Sequence, residues 1–159
     1  MDKILIISDT HGDIKTLEKI IKREKNYSYL LHLGDHHFDL DEVDIDHEKV
    51  NVIRVRGNCD FMKEKEEAVF TVHGRKIFMT HGHYYGVKNS LTNIFYKADE
   101  IGANIVLFGH THEALNKKIS DIHLFNPGSL SSMRSFGKIS YGIMTIDDKG
   151  NYKLYHKTV

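Results

Sequence analysis

Three short stretches of this chain, KILIIS (3–8), YLLHLG (29–34) and NIVLFG (104–109), are apolar with little alternation. A strand with one wet face alternates apolar and polar side chains, whereas a strand covered on both faces reads as a short continuous run. VNVIRVRG (50–57) reads as a further strand of the same region, and AVFTVHGRKIFMTHG (68–82) as two strands joined by a tight turn at His73-Gly74. Helical spacing lies between the strands. Asp13 is placed to cap a helix carrying Ile14, Leu17, Ile20 and Ile21 on one stripe. Leu91, Phe95, Ala98 and Ile101 recur at helical spacing over 88–102, with Gly102 as the stop signal. The acidic segment FDLDEVDIDHEK has room for a short helix. After residue 110 the pattern predicts antiparallel strands, with DDKGN as a turn. The expectation is an α/β fold in one domain spanning 1–159, with parallel units first and antiparallel strands later.

Composition narrows the function classes. Lys plus Arg balance Asp plus Glu at 22 each, so no overall field draws the chain to nucleic acid or to an anionic membrane. A single cysteine, Cys59, leaves no internal disulfide and suits a reducing, cytoplasmic setting. The first residues enter a strand pattern at once, unlike a secretory leader, and no apolar run approaches the roughly 20 residues of a membrane span. Histidine is the outlier, at 12 of 159 residues.

The position of those histidines matters more than their number. KILIIS leads to Asp9 and His11, YLLHLG to Asp35, VIRVRG to Asn58, KIFMT to His81, and IVLFG to His110 and His112. Five strand ends thus deliver seven side chains able to ligate a metal. Turn chemistry explains any one of these motifs taken alone. It does not explain Asp, His or Asn recurring at the same place after strand upon strand. In α/β sheets ligands bind beyond the carboxyl ends of the strands, so residues a hundred positions apart converge on one rim.

In order and spacing, D-x-H (9–11), G-D (34–35), G-N-x-D (57–60), THGH (80–83) and G-H-x-H (109–112) resemble the calcineurin-like metallophosphoesterases. RGNCD and HGH are similar to the small single-domain phosphodiesterase branch, and the resemblance runs from Asp9 to at least the NPGS of 126–129. It implies a four-layer α/β/β/α sandwich of two mixed sheets, with two divalent metal ions at the strand ends. Asp9, His11 and His112 would hold one ion, Asn58, His81 and His110 the other, and Asp35 would bridge both. The implied activity is hydrolysis of a small phosphodiester by a metal-bridging hydroxide, with Asp35 and Asn58 in the catalytic set.

A donor set of imidazoles, carboxylates and one amide suits manganese first, then nickel, iron or zinc, ahead of oxygen-seeking magnesium or calcium. Two divalent ions outweigh the charge of Asp9 and Asp35, so the site stays attractive to a phosphate anion. The broad family has histidine where this chain has Cys59. A neutral thiol is a weak proton donor, which favours diesters with good leaving groups over monoesters. His83 is the candidate substitute donor, joining Asp35 and Asn58 in the catalytic set, or a support to a ligand; a turn histidine outside the metal set is the equal alternative. Asp60 is expected to orient a ligand or a loop. Cys59, His36 and Ser129 are the candidate substrate contacts, although Pro-Gly-Ser is also plain turn chemistry and His36 and His37 also fit an exposed loop. His32 is expected in the core or at an edge, and His47, His73, His123 and His156 on the surface. Two other readings stand beside the enzyme: a protein-interaction scaffold of this fold, like the retromer subunit, and a nuclease. The scaffold predicts eroded ligands, yet all seven are present; the nuclease lacks an aromatic-basic strip. The tyrosine-rich YYG segment and the edge strands permit a homodimer.

Overall fold

A computed structural model describes residues 1–61, 63–134 and 138–159. Ten strands form two five-stranded sheets. The first sheet has the order β10-β9-β1-β2-β3, built from β1 (Asp2–Ile7), β2 (Tyr29–His32), β3 (Asn51–Arg54), β9 (Ser140–Ile146) and β10 (Tyr152–Thr158). The second has the order β4-β5-β6-β8-β7, from β4 (Glu67–Val72), β5 (Arg75–Thr80), β6 (Ile105–Leu107), β7 (Ala114–Ile119) and β8 (Ile122–Pro127). β1, β2 and β3 run parallel, as do β5, β6 and β8. Antiparallel β9 and β10 extend the first sheet, and antiparallel β4 and β7 edge the second.

The side-chain period of two along β1 explains the continuous apolar run. Ile4 and Ile6 point into a core shared with Ile77, Met79, Ile105 and Leu107 of the other sheet. Leu5 and Ile7 point the other way, against Leu17 and Ile20 of helix α1 (Ile14–Arg23). The second sheet does the same: Phe78, Val106 and Leu124 pack outward on Ile94 and Ala98 of helix α2 (Thr92–Ile101). Three cores between four layers give the α/β/β/α sandwich. Asp13 caps α1 by accepting from the Thr16 N–H at 3.2 Å, and Gly102 closes α2 in the left-handed conformation. The acidic segment holds a 3-10 turn, His37–Glu42.

Two expectations need correction. The late strands are not all antiparallel: β8 runs parallel to β6, reached through the β7 hairpin, because the chain crosses over to complete the buried centre of the sheet. His123 and His156 do not lie on the surface. His123 is buried and bonds the Asn116 amide at 2.6 Å and the Tyr152 hydroxyl at 3.1 Å. His156 stacks on Phe125 at 4.3 Å and donates to the Asn126 carbonyl at 2.7 Å. His123 on β8 and His156 on β10 thereby stitch the two sheets together.

Far from the strand ends of interest, Glu24 at the end of α1 ties the helix to three strands. It is 2% exposed and bonds Lys157, Lys3 and Tyr141, each at 2.7 Å. Burial by itself would raise its carboxyl, but the bonds from Lys157, Lys3 and Tyr141 prevail and hold it at about 2. A folded-state pKa below the unfolded one contributes stability above the unfolded value, lost as pH falls through the folded value. Glu24→Gln should therefore cost roughly 2–3 kcal/mol at pH 7. In urea unfolding the gap between parent and variant should close as pH drops from 5 toward 2; a gap constant with pH would show that Glu24 is not held as an ion.

Candidate metal centre

Parallel β1, β2 and β3 end on one edge of the first sheet, and parallel β5 and β6 end beside them on the second. The residues that follow these ends meet at the seam between the sheets. Their backbone is strained to get there. Of nine non-glycine residues with positive φ among the described residues, six lie in these loops: Asp9 (54°), His11 (44°), Asp35 (60°), His36 (61°), His110 (70°) and His112 (61°). Such conformations cost roughly 1–3 kcal/mol each and persist only where surroundings over-determine them. Asp, Asn and His tolerate them better than bulky residues do.

The over-determination is visible bond by bond. The Asp60 carboxylate accepts from three backbone N–H groups, those of His36 at 2.7 Å, Gly57 at 2.8 Å and Asp35 at 2.9 Å. It thereby fastens the loop after β2 to the loop after β3. The Asp9 N–H donates to the Gly34 carbonyl at 3.0 Å, and the Gly109 N–H to the His81 carbonyl at 3.0 Å. Asn126 reaches from β8 to hold the Gly109 carbonyl at 2.9 Å and the Thr111 hydroxyl at 3.0 Å. Two glycines are required by proximity. A Cβ on Gly57 would stand 2.2 Å from the Asp35 carboxylate, and one on Gly109 would stand 2.7 Å from that of Asp9.

Two groups of donor atoms result, each within 4.8 Å of one another: Asp9, His11, Asp35 and His112, then Asp35, His81 and His110. Asp35 belongs to both. Its Oδ2 lies 3.5 Å from His11 Nε2 and its Oδ1 lies 3.4 Å from His81 Nε2. Asp9 Oδ1 lies 3.1 Å from His112 Nε2. The Asn58 amide oxygen lies 3.0 Å from His81 Nε2, so the second group gains a fourth donor. Backbone carbonyls fix two of the imidazoles. His81 Nδ1–H donates to Leu33 at 2.8 Å and His112 Nδ1–H to Arg134 at 3.0 Å, which turns each Nε2 toward the carboxylates.

This cluster fits divalent cations on three counts. Asp9 Oδ1 and His11 Nε2 are buried and lack a hydrogen-bond partner, a costly condition unless something else satisfies them. Burial would raise the Asp9 carboxyl, but the adjacent imidazoles of His11 and His112 hold it far below the usual range. Asp35, likewise raised by burial and lowered by His81, sits at about 2. Burial pushes His110 down to about 4, leaving a free lone pair. On His81 burial acts downward and Asp35 prevails upward; the Asp9 bond raises His112.

The other expected site residues fall into two groups. His83 stands at the second cluster, its ring 5.4 Å from His81 and 6.0 Å from His110, with a buried Nδ1 lacking a partner. Burial and then His81 push it below its usual value. His36 stands at the first, its ring 5.2 Å from His11. Cys59 is partly exposed, with its N–H donating to Asp35 at 2.9 Å; burial and Asp35 raise its thiol, which therefore stays protonated. Ser129 does not face the cleft. It is fully buried, and its hydroxyl donates to the Asp9 carbonyl at 2.8 Å, because the strained Asp9 backbone needs that acceptor satisfied. His37 is buried rather than at the mouth.

A supporting chain behind the rim has no signature in the sequence. The Gly34 N–H donates to His32 Nδ1 at 3.1 Å, so His32 carries its proton on Nε2 and donates to the Thr10 hydroxyl at 3.1 Å. Thr10 in turn donates to Asp39 at 2.7 Å, which also accepts from the Gly12 N–H at 2.8 Å. Burial drives His32 down to about 3, so the relay stays neutral at that end. Asp39 looks like one more charge in an acidic run, and only its contacts identify it as the anchor of the Asp9–Gly12 loop.

Residues 2–149 match the profile of the calcineurin-like phosphoesterase superfamily domain. The chain is 38% identical over 148 residues to the probable metallophosphoesterase YsnB of Bacillus subtilis, covering 91% of this chain and 85% of that protein. It is 28% identical over 172 aligned positions to the phosphodiesterase YfcE of Escherichia coli, covering 92% and 89%. Among solved structures, a predicted phosphoesterase of Streptococcus pneumoniae superposes with a TM-score of 0.78 at 31% identity, over 99% of this chain and 89% of that one. Vps29 of Entamoeba histolytica complexed with zinc shares the fold, with a TM-score of 0.74 at 19% identity over 98% of each chain.

Gly57→Ala tests the packing of the rim directly. The added methyl must displace the Asp35 carboxylate, so calorimetric affinity for Mn2+ should fall about 10–100-fold while circular dichroism stays native. Unaltered affinity in a folded variant would mean that Asp35 is not a ligand.

Proposed function

The chain belongs to the calcineurin-like phosphoesterase superfamily and is a hydrolase of the phosphoesterase type, and from that premise we propose that it hydrolyses small phosphodiesters at a centre of two divalent cations. The observation that carries this reading is the sharing of Asp35 between two donor clusters that otherwise have no residue in common. Asp9, His11 and His112 complete one cluster, and His81, His110 and Asn58 the other. The ions, manganese by first choice given the mixed nitrogen and oxygen donors, would supply Lewis acidity and a bridging hydroxide nucleophile near neutral pH. The whole of 1–159 is read as the single domain that carries this centre.

The chain's own residues divide the remaining work. Asp35 would hold both cations in register, with Asp60 and the Cys59 N–H fixing its position. Asn58 contributes a neutral donor, so the cluster keeps a positive excess for a phosphate oxygen. His36 stands over the first cluster as a substrate contact, and Cys59 lies at the second without acidic power. His83 is the imidazole left beside the second cluster for the departing oxygen. With a protonated thiol where an imidazolium would act, the reading favours diesters with good leaving groups over monoesters. The Vps29 likeness supports the fold alone, and the survival of all seven donors favours hydrolysis over a scaffold role.

Activity should disappear on chelation and return on adding Mn2+, with bis(p-nitrophenyl) phosphate cleaved faster than p-nitrophenyl phosphate. Asp35→Asn should lower Mn2+-supported turnover by at least about 100-fold and weaken Mn2+ binding. Parent-like turnover in that variant would exclude the shared-carboxylate centre. His83→Ala should slow diesters with basic alcohol leaving groups about 10–100-fold more than those leaving as nitrophenolate. Equal losses on both would reject its part in protonating the leaving oxygen.

A further inference from the structure

A cavity of about 620 Å³ opens beside the centre, lined by His110 and His112 together with Lys88, Glu113, Met133 and Arg134. Its volume lies in the range of small-molecule sites. Because His110 and His112 belong to both the donor clusters and the cavity wall, a substituent on a phosphorus held at the clusters has a direct path into it. Lys88 and Arg134 come from different loops, one before α2 and one after β8. Neither is ion-paired among the described residues, although many of the chain's other cations are.

Arg134 is built into the site, not merely near it. Its carbonyl accepts from His112 Nδ1 at 3.0 Å, and its N–H donates to the Ser131 carbonyl at 3.2 Å. Ser131 in turn donates to Ser129, which holds the Asp9 carbonyl. Lys88 and Arg134 line the same cavity as His110 and His112, so two cations share one wall with the donor clusters. Glu113 offsets one of the two charges, leaving the wall cationic, and Met133 adds an exposed apolar surface.

We propose that this cavity holds one ester arm of the substrate and that Lys88 and Arg134 select an arm bearing its own negative charge, a terminal phosphate or carboxylate. The inference rests on the phosphodiesterase reading and deepens it: the substrate class becomes a diester with a second anionic group. Arginine offers a planar fork for either anion and lysine a point charge, and a half-enclosed cavity strengthens both relative to an open surface.

Three chromogenic diesters test it: p-nitrophenyl methyl phosphate and its 2-carboxyethyl and 2-phosphoethyl counterparts, with Mn2+ present. The parent should prefer a charged arm at least tenfold in kcat/KM, and whichever arm gains more identifies the anion. Lys88→Met and Arg134→Met should each reduce kcat/KM on the preferred charged arm at least fivefold more than on the methyl ester. Calorimetry with the corresponding non-hydrolysable methylphosphonates gives a readout independent of turnover. Cleavage of all three diesters without charge preference, or equal losses across them, would overturn the inference and leave the diesterase intact. Absence of cleavage with charge-selective binding that depends on Lys88 and Arg134 would sink the diesterase reading and leave the pocket standing. Absence of both overturns both.

Discussion

Two ionised carboxylates, Asp9 and Asp35, are buried where the sheets meet, and the rest of the rim is organised around that cost. Moving a carboxylate out of water costs several kcal/mol even after relaxation unless charge and hydrogen bonds are supplied in return. Here the supply comes as imidazoles, backbone N–H groups and the serine beside Asp9. The arrangement satisfies the carboxylates in part and stops short at Asp9 Oδ1 and His11 Nε2. Those unsatisfied atoms face one another across a gap suited to a cation. A structural ion cluster such as that of Glu24, where each oxygen meets a bonded cation or hydroxyl, shows by contrast what a closed arrangement looks like in the same chain.

The backbone carries the complementary part of the cost. Six residues of the rim adopt left-handed φ, so the loops would relax if released. Asp60, Asn126, Ser129 and Asp39 hold them, each side chain substituting for a secondary-structure bond that a tight loop cannot make. None of these four needs to touch a substrate to matter. Rigid strands place the loops, buried polar side chains lock them, and only then do the donor atoms of each group fall within 4.8 Å of one another.

Much of this was legible in the primary structure for a reason that can be stated residue by residue. Ile4, Leu5, Ile6 and Ile7 read as a strand covered on both faces, and they do pack alternately on the partner sheet and on α1. The donors at 9, 11, 35, 58, 81, 110 and 112 were legible because each sits at a strand end, a position the apolar run itself marks. Ser129 misled because a Pro-Gly-Ser turn looks the same whether its hydroxyl faces a ligand or a backbone carbonyl. His123 and His156 misled because a histidine in a strand is polar by composition, and the sequence does not name the partner that buries the first and half-buries the second.

The sequence by itself determined the α/β class, the strands covered on both faces, the donor types and their attachment to strand ends, because these follow from local periodicity and from the chemistry of single side chains. Only the tertiary structure decided the distances at which Asp35 meets both donor groups, the part of Asp39 as an anchor, and where Lys88 and Arg134 converge. Those properties depend on distances between segments far apart along the chain, and such distances are set by the packing of two sheets against each other, which no stretch of residues encodes alone.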